Sequence, residues 1–252
     1  MTILDKGVDR ADKEKAYLLH HRPYSETSLI CYFFTRNHGI VHILIKGARR
    51  PRGGYSLLQP TLELLVSWSG KSELKTLRGL EANKRHLIHQ GEELILLLYV
   101  IELLMKLLKP HDSHPQLYDA YDSFLTNQAN RPQEKNIRLF EHRMFAELGY
   151  GLCYDKDYKN GKSVSATTRY IYEPMHGFTQ TSKATGDSFL GSEIMAMKEL
   201  NHPKVLLAAK KLSRLILHHL LDNRSLVSRQ LFSYKNSLHP TKKSKLKSSY
   251  GN

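Results

Sequence analysis

Short runs of apolar residues mark the first eighty positions, and longer apolar stretches with helical spacing follow them. Residues 15–21 read as a strand closed by Arg22-Pro23-Tyr24-Ser25. Residues 27–34, dense in Leu, Ile and aromatic side chains, read as a second. Asn37-His38-Gly39 is a hairpin-type turn leading into a third strand at Ile40. Residues 61–68 and 72–80, joined by the tight Ser69-Gly70-Lys71 turn, supply two more. Five short strands predict a small closed barrel, because an open sheet leaves edges that need protection.

After Leu80 the spacing changes. Residues 92–108 have helical length and are apolar nearly all round, which predicts a core helix ended by Lys109-Pro110. Residues 116–128 follow, with Leu117, Tyr121, Phe124 and Leu125 spaced by three and four. Residues 134–148 carry Ile137, Phe140, Met144, Phe145 and Leu148 on one stripe, with Gly149 at the carboxyl end. Residues 153–185 read as loop with brief strand character, as in Tyr170-Ile171-Tyr172. Residues 204–221 form a strong amphipathic helix, and 226–232 add a last turn. The expected class is α+β and multidomain. A five-stranded barrel of oligonucleotide-binding (OB) type occupies 1–82, and a mainly α-helical domain with an irregular insert occupies 83–234. Residues 235–252, with Lys235, Lys242, Lys243, Lys245 and Lys247 and no acid, are expected to be a disordered basic tail.

Charge sharpens this picture. The 252-residue chain has a formal net charge of +14, which favours polyanionic partners. The excess is concentrated where the third strand ends, in a Gly- and Pro-containing loop with Lys46, Arg49, Arg50 and Arg52. No acid lies between Glu26 and Glu63. Arg presents a planar donor fork to phosphate oxygens, and Gly permits close backbone approach. Such a loop suits a phosphate backbone, and a solvated loop with no partner is the competing reading. Lys71, Lys75 and Arg78 are candidates to extend the basic face, and Tyr24, Tyr55 and Trp68 are candidates to stack on bases or, more simply, to pack.

Other chemistry is poorly supported. Cys31 and Cys153, the two cysteines, cannot make a four-thiolate site and fit a reducing compartment. Fourteen histidines are scattered, and adjacent His218 and His219 diverge by about 100° on a helix. Asp155-Lys156-Asp157 lacks the later acids of a calcium loop, and residues 47–54 lack the Gly-Lys-Ser/Thr ending of a nucleotide cradle. No nucleophile relay is recognisable. The first fifteen residues lack the apolar segment of a secretory signal, and the longest apolar run is too short and too charged to span a bilayer. The expectation is a soluble, cytoplasmic protein without enzymatic activity, metal or cofactor.

Several motifs stand in a recognisable order: His20-His21-Arg22-Pro23-Tyr24-Ser25-Glu26-Thr27-Ser28-Leu29, then Thr35-Arg36-Asn37-His38-Gly39 followed by Lys46-Gly47-Ala48-Arg49-Arg50. Leu58-Gln59-Pro60 and Gly70-Lys71-Ser72-Glu73-Leu74-Lys75-Thr76-Leu77 continue in order. Arg138-Leu139-Phe140-Glu141 with Leu148-Gly149-Tyr150-Gly151, and finally Ser228-Arg229-Gln230-Leu231-Phe232, extend the set to about residue 232. Together these motifs resemble the bacterial RecO family of recombination mediators. The resemblance implies an OB barrel, a helical domain and a non-enzymatic role in recombinational repair. It implies binding of single- and double-stranded DNA and annealing of complementary strands. With a RecR partner, it implies loading of recombinase onto DNA coated by single-stranded-DNA-binding protein. Some members carry a four-cysteine zinc site after the Leu-Gly-Tyr motif; here that stretch holds Cys153 alone, so no zinc is expected.

The resemblance also implies a site on the helical domain for the acidic, hydrophobic tail of single-stranded-DNA-binding protein. It carries over most directly to Arg138 and His142, on one helix face at i and i+4. Lys210, Lys211 and Arg214 are candidates to attract the tail's acids. The alternative for Arg138 is a pair with Glu134 or Glu141 on its own helix. The alternative function is a basic adaptor that binds acidic protein tails, with DNA contact incidental.

Overall fold

The computed structural model describes residues 9–51, 55–84, 87–127, 133–222 and 224–231. Strands β1 (Asp9–Pro23), β2 (Leu29–Thr35), β3 (Gly39–Ile45), β4 (Leu64–Gly70) and β5 (Leu74–Ala82) close into a barrel in the order β1-β2-β3-β5-β4. β3 and β5 run parallel and the other pairs antiparallel, which is an OB-type barrel. β1 begins well before the predicted residue 15, and closure explains why. Its first half pairs with β4, from Asp9↔Gly70 to Ala16↔Leu64, and its second with β2, from Ala16↔Thr35 to Pro23↔Leu29. Register shifts at Ala11/Glu14 and Leu18/His20 bend the strand between its two neighbours. Alternation cannot flag a strand so charged at one end.

Alternate residues fill the barrel: Leu18, Cys31, Phe33, Val41, Ile43, Val66 and Trp68 are buried together. The opposite face of β1–β3 is not solvated throughout. Tyr17 pairs with Phe34 and Phe34 with Ile40, and all three belong to the core of the helical region.

That region contains α1 (Glu92–Leu107), α2 (Pro115–Thr126), α3 (Gln133–Glu147), the short α4 (Gly191–Ala196) and α5 (Pro203–Leu220). α5 starts one residue before the expected 204, with Pro203 in its first turn and His202 accepting from the Lys204 N–H. The expected irregular insert is more ordered than its composition predicts. It holds a three-stranded antiparallel sheet of β6 (Arg169–Glu173), β7 (Gly177–Gln180) and β8 (Ser188–Leu190). Strands of three to five residues are too short to establish a period. Residues 228–231 are helical, and the Glu102 carboxylate receives the N–H groups of Val227 and Ser228 and the Ser228 hydroxyl. Burial opposes ionisation of Glu102, but the bonds from Ser228 and Val227 and the nearby Lys106 outweigh it and lower its pKa. The basic tail, 235–252, lies outside the described residues.

Barrel and helices are fastened by polar pairs as well as by the aromatic cluster. Buried Glu63 accepts from Tyr118 (3.0 Å) and Asn83 (2.6 Å) and lies 3.5 Å from the Lys84 ammonium. Asp122 accepts from Tyr17 (2.5 Å) and Lys84 (2.6 Å). Arg36 of the β2–β3 turn donates two bonds, of 3.0 and 2.9 Å, to Asp119 on α2. That bidentate bond holds Asp119 below the ordinary carboxylate range and raises Arg36. Among the described residues no helix is long and apolar enough to cross a membrane.

Candidate nucleic-acid interface

The loop after β3 is built rather than loose. Ile45 ends the strand inside the barrel, and Lys46 emerges exposed. Gly47 turns the chain at φ +68°, Ala48 plugs the core at 0% exposure, and the Arg49 N–H is pinned to the Thr27 carbonyl at 3.0 Å. Arg49 and Arg50 therefore stand exposed on an anchored backbone. Among the described residues no carboxylate pairs with Lys46, Arg49 or Arg50. Arg52 lies outside the described residues.

The parallel β3–β5 register runs His42↔Leu74, Ile43↔Lys75 and Leu44↔Thr76. That pairing ends two residues short of Lys46 and Arg78, so both cations lie just past the paired stretch, toward the same end of it. Arg78 is exposed and braced by a 2.7 Å bond to the Ser69 hydroxyl. Lys71 is exposed in the β4–β5 turn, toward the other end of β5. Lys75 departs from the expectation that it extends the basic face. It shares the inner face with Ile43, is 4% exposed, and reaches the Gly70 carbonyl at 3.5 Å. Of the two readings of Trp68, packing holds: period-two alternation puts it in the barrel core at 1% exposure. Tyr24 is exposed, whereas the Tyr55 side chain lies outside what is described.

A second cationic feature lies between α1, α3 and α5. Arg138, Lys210, Arg214 and Arg229 line a cleft of about 510 Å³ with Glu92, Glu134, Leu96, Tyr99, Ile137 and Leu217. Arg138 is itself buried. Its guanidinium is ion-paired with fully buried Glu141, and its Nε is 3.5 Å from Glu134. Glu141 also accepts from the Tyr99 hydroxyl at 2.6 Å, and Glu134 receives Lys210 at 3.2 Å. The same-helix pairs that form the alternative for Arg138 are thus present, and exposed Arg214 is a cation at the cleft's rim. Arg229, missed as a site residue, joins the cleft from the closing motif.

Two predicted members of this site are elsewhere. His142 is half-buried with its Nδ1 3.3 Å from the Tyr154 hydroxyl, outside the cleft. Burial, then the Arg138 charge, lowers its pKa to about 4, so it brings no charge to an acidic ligand at neutral pH. Lys211, one residue and about 100° round the helix from Lys210, donates to the Gly186 and Ser188 carbonyls and sits 3.9 Å over the Phe189 ring.

In the insert, Cys153 is exposed, and buried Asp157 organises the turn. Its carboxylate accepts from the N–H groups of Lys159 (2.8 Å), Asn160 (3.2 Å) and Gln180 (2.7 Å). Among the described residues no group of three or more His, Cys, Asp or Glu is arranged to hold a metal.

Strand order and the exposed cationic loop define an OB-barrel protein joined to a helical body. Residues 11–85 match the family model described as "Recombination protein O N terminal", and residues 88–230 match "Recombination protein O C terminal". The chain belongs to the RecO family of DNA repair proteins. A DNA repair protein RecO of Actinobacillus pleuropneumoniae is 38% identical over 223 residues, covering 86% of this chain and 93% of the relative. The RecO of Tolumonas auensis is 38% identical, covering 88% and 95%, and that of Coxiella burnetii is 37% identical, covering 88% and 98%.

Proposed function

We propose that this chain is a non-catalytic mediator of recombinational repair that binds single- and double-stranded DNA and anneals complementary strands. With RecR it helps load recombinase onto DNA coated by single-stranded-DNA-binding protein, in the cytoplasm at the nucleoid. The observation that carries this reading is the anchored loop at the end of an OB-barrel strand, whose Lys46, Arg49 and Arg50 are exposed and, among the described residues, without acidic partners. An annealer must hold two strands without reading their bases, and phosphate contacts provide that. Arg78 and Lys71 extend this surface, and Arg52 belongs to the same cationic stretch of sequence. We assign DNA contact chiefly to residues 1–82 and partner contact to 83–234.

The cleft of Arg138, Lys210, Arg214 and Arg229 supports binding of the acidic tail of single-stranded-DNA-binding protein. It combines cations with the apolar walls of Leu96, Ile137 and Leu217. Arg214 at the rim is the guanidinium for the tail carboxylate, while Arg138, paired with Glu141, holds the floor of the cleft in place. This cleft also supports the second reading, an adaptor for acidic tails with incidental DNA contact. Annealing of complementary oligonucleotides with and without single-stranded-DNA-binding protein separates the two. A mediator accelerates pairing of naked and of coated strands, whereas an adaptor accelerates neither.

A further inference from the structure

Half of the outer face of β1–β3 is covered by the helices; the other half carries a row of rings. His20 on β1 is opposite Tyr32 on β2, and Tyr32 is opposite His42 on β3. The rings touch in sequence, with centroids 5.6 Å apart for His20–Tyr32 and 4.4 Å for Tyr32–His42. Arg22, next on the same face of β1, donates its Nε–H to the Tyr32 hydroxyl at 3.2 Å. His20 and Arg22 are exposed, and Tyr32 and His42 are half-buried. The row stops where the helical body begins, since His111 donates its N–H to the Ile40 carbonyl.

We propose that His20, Tyr32 and His42, edged by Arg22, form a stacking platform for the unpaired bases of single-stranded nucleic acid. The proposal rests on the DNA-binding reading above and adds a base-contacting surface to its phosphate-contacting loop. Aromatic faces accept any base, as an annealer that ignores sequence requires. His42 and Leu44 alternate outward along β3 and exposed Lys46 follows just past its end, so the platform and the Lys46 and Arg78 cations lie along the same pair of strands. They are separated by roughly 13 Å at about 3.3 Å per residue. A strand whose bases lie on the rings is thereby led toward cations that meet its phosphates.

The charges around the row fit a polyanion. Burial and the neighbouring His111 and Arg22 lower the pKa of His42 against the pull of Glu73, leaving an uncharged ring at neutral pH. The guanidinium of Arg22 supplies the adjacent cation.

The test compares an oligothymidine with an abasic oligonucleotide of equal length on the full chain. The unaltered protein should bind the oligothymidine roughly fivefold or more tightly, the range for removal of a base–ring stack. Tyr32→Ala with His42→Ala should abolish that preference and leave abasic and duplex binding within about twofold of normal. Tyr32→Phe, which keeps the ring and removes the Arg22 bond, should retain the preference and control for folding. A preference unchanged in the double variant, or abolished equally in Tyr32→Phe, overturns the platform while duplex binding preserves the DNA-binding reading. No binding of any of these nucleic acids by the unaltered protein overturns both.

Discussion

A Cβ on Gly39 would lie 2.1 Å from the carbonyl oxygen of Asp112, so the β2–β3 turn meets the α1–α2 connection backbone to backbone. Gly39 also sits at φ +64°, where an L side chain is strained. Gly39→Ala should therefore lower unfolding free energy by roughly 2–4 kcal/mol, combining strain with overpacking. Gly149→Ala is the control, since Gly149 has φ +83° but open space around it, and should cost about 1 kcal/mol. Equal, small losses of stability from both in denaturant titration would remove this close approach from the account of how the two regions are joined.

The cleft separates stability from affinity. Arg138→Ala leaves Glu141 buried without its partner and should cost roughly 3–5 kcal/mol of stability. Arg214→Ala should leave the unfolding midpoint nearly unchanged. Its binding of an acidic peptide ending in an aromatic carboxylate should weaken by roughly 1.5–3 kcal/mol, as for a hydrogen bond to a charged group. Calorimetry on the Arg214 variant with undiminished peptide affinity would place the tail site elsewhere.

His142 gives the fold a pH dependence. Its pKa falls from an ordinary 6.5 to about 4 on folding, so the unfolded chain binds its proton first. The stabilisation from a neutral His142 is present above pH 6.5 and is lost progressively as pH falls toward 4. The full effect is on the order of 3 kcal/mol. Melting temperature should decline from about pH 6.5 to 5 in the native sequence and decline less in His142→Gln. Parallel curves would show that the ring is not held neutral.

In the insert, Asp157 ties together three backbone N–H groups. Elemental analysis should find no stoichiometric zinc in the purified protein, and chelator should not shift its melting temperature. Asp157→Ala should destabilise the chain by roughly 2–4 kcal/mol, because three backbone N–H groups lose the charged acceptor they share. One tightly held zinc per chain would contradict the zinc-free reading, and an unchanged unfolding free energy in Asp157→Ala would contradict the role of this carboxylate.

The barrel was legible because its apolar positions alternate and its turns carry Gly, as at Asn37-His38-Gly39. The long helices were legible from spacing, within a residue or two at most ends. The first half of β1 was not, because its reason for being a strand is closure with β4, a pairing between residues over fifty positions apart in most of its register. Exposed Lys46, Arg49 and Arg50 were found by the absence of local acids. Lys75 failed as a surface candidate, and Trp68 packs rather than stacks on bases, because the register, not the residue type, decides which face a strand residue takes. His142 and Lys211 failed for a related reason. Tyr154 and the strand carbonyls that claim them come from the insert, whose fold the sequence does not announce. The ring row of His20, Tyr32 and His42 was hidden in the same way, since its members meet only across strands.

The central claim is that exposed cations of the barrel hold DNA by its phosphates, and salt dependence tests it most directly. Affinity for a duplex of arbitrary sequence should be measured across salt concentrations for the native chain and for Lys46→Ala/Arg49→Ala/Arg50→Ala. The slope of log affinity against log salt should shrink by up to roughly two to three units in the variant, at just under one unit for each phosphate no longer neutralised. Unrelated sequences should weaken about equally. An unchanged slope in a variant that melts normally would contradict the account.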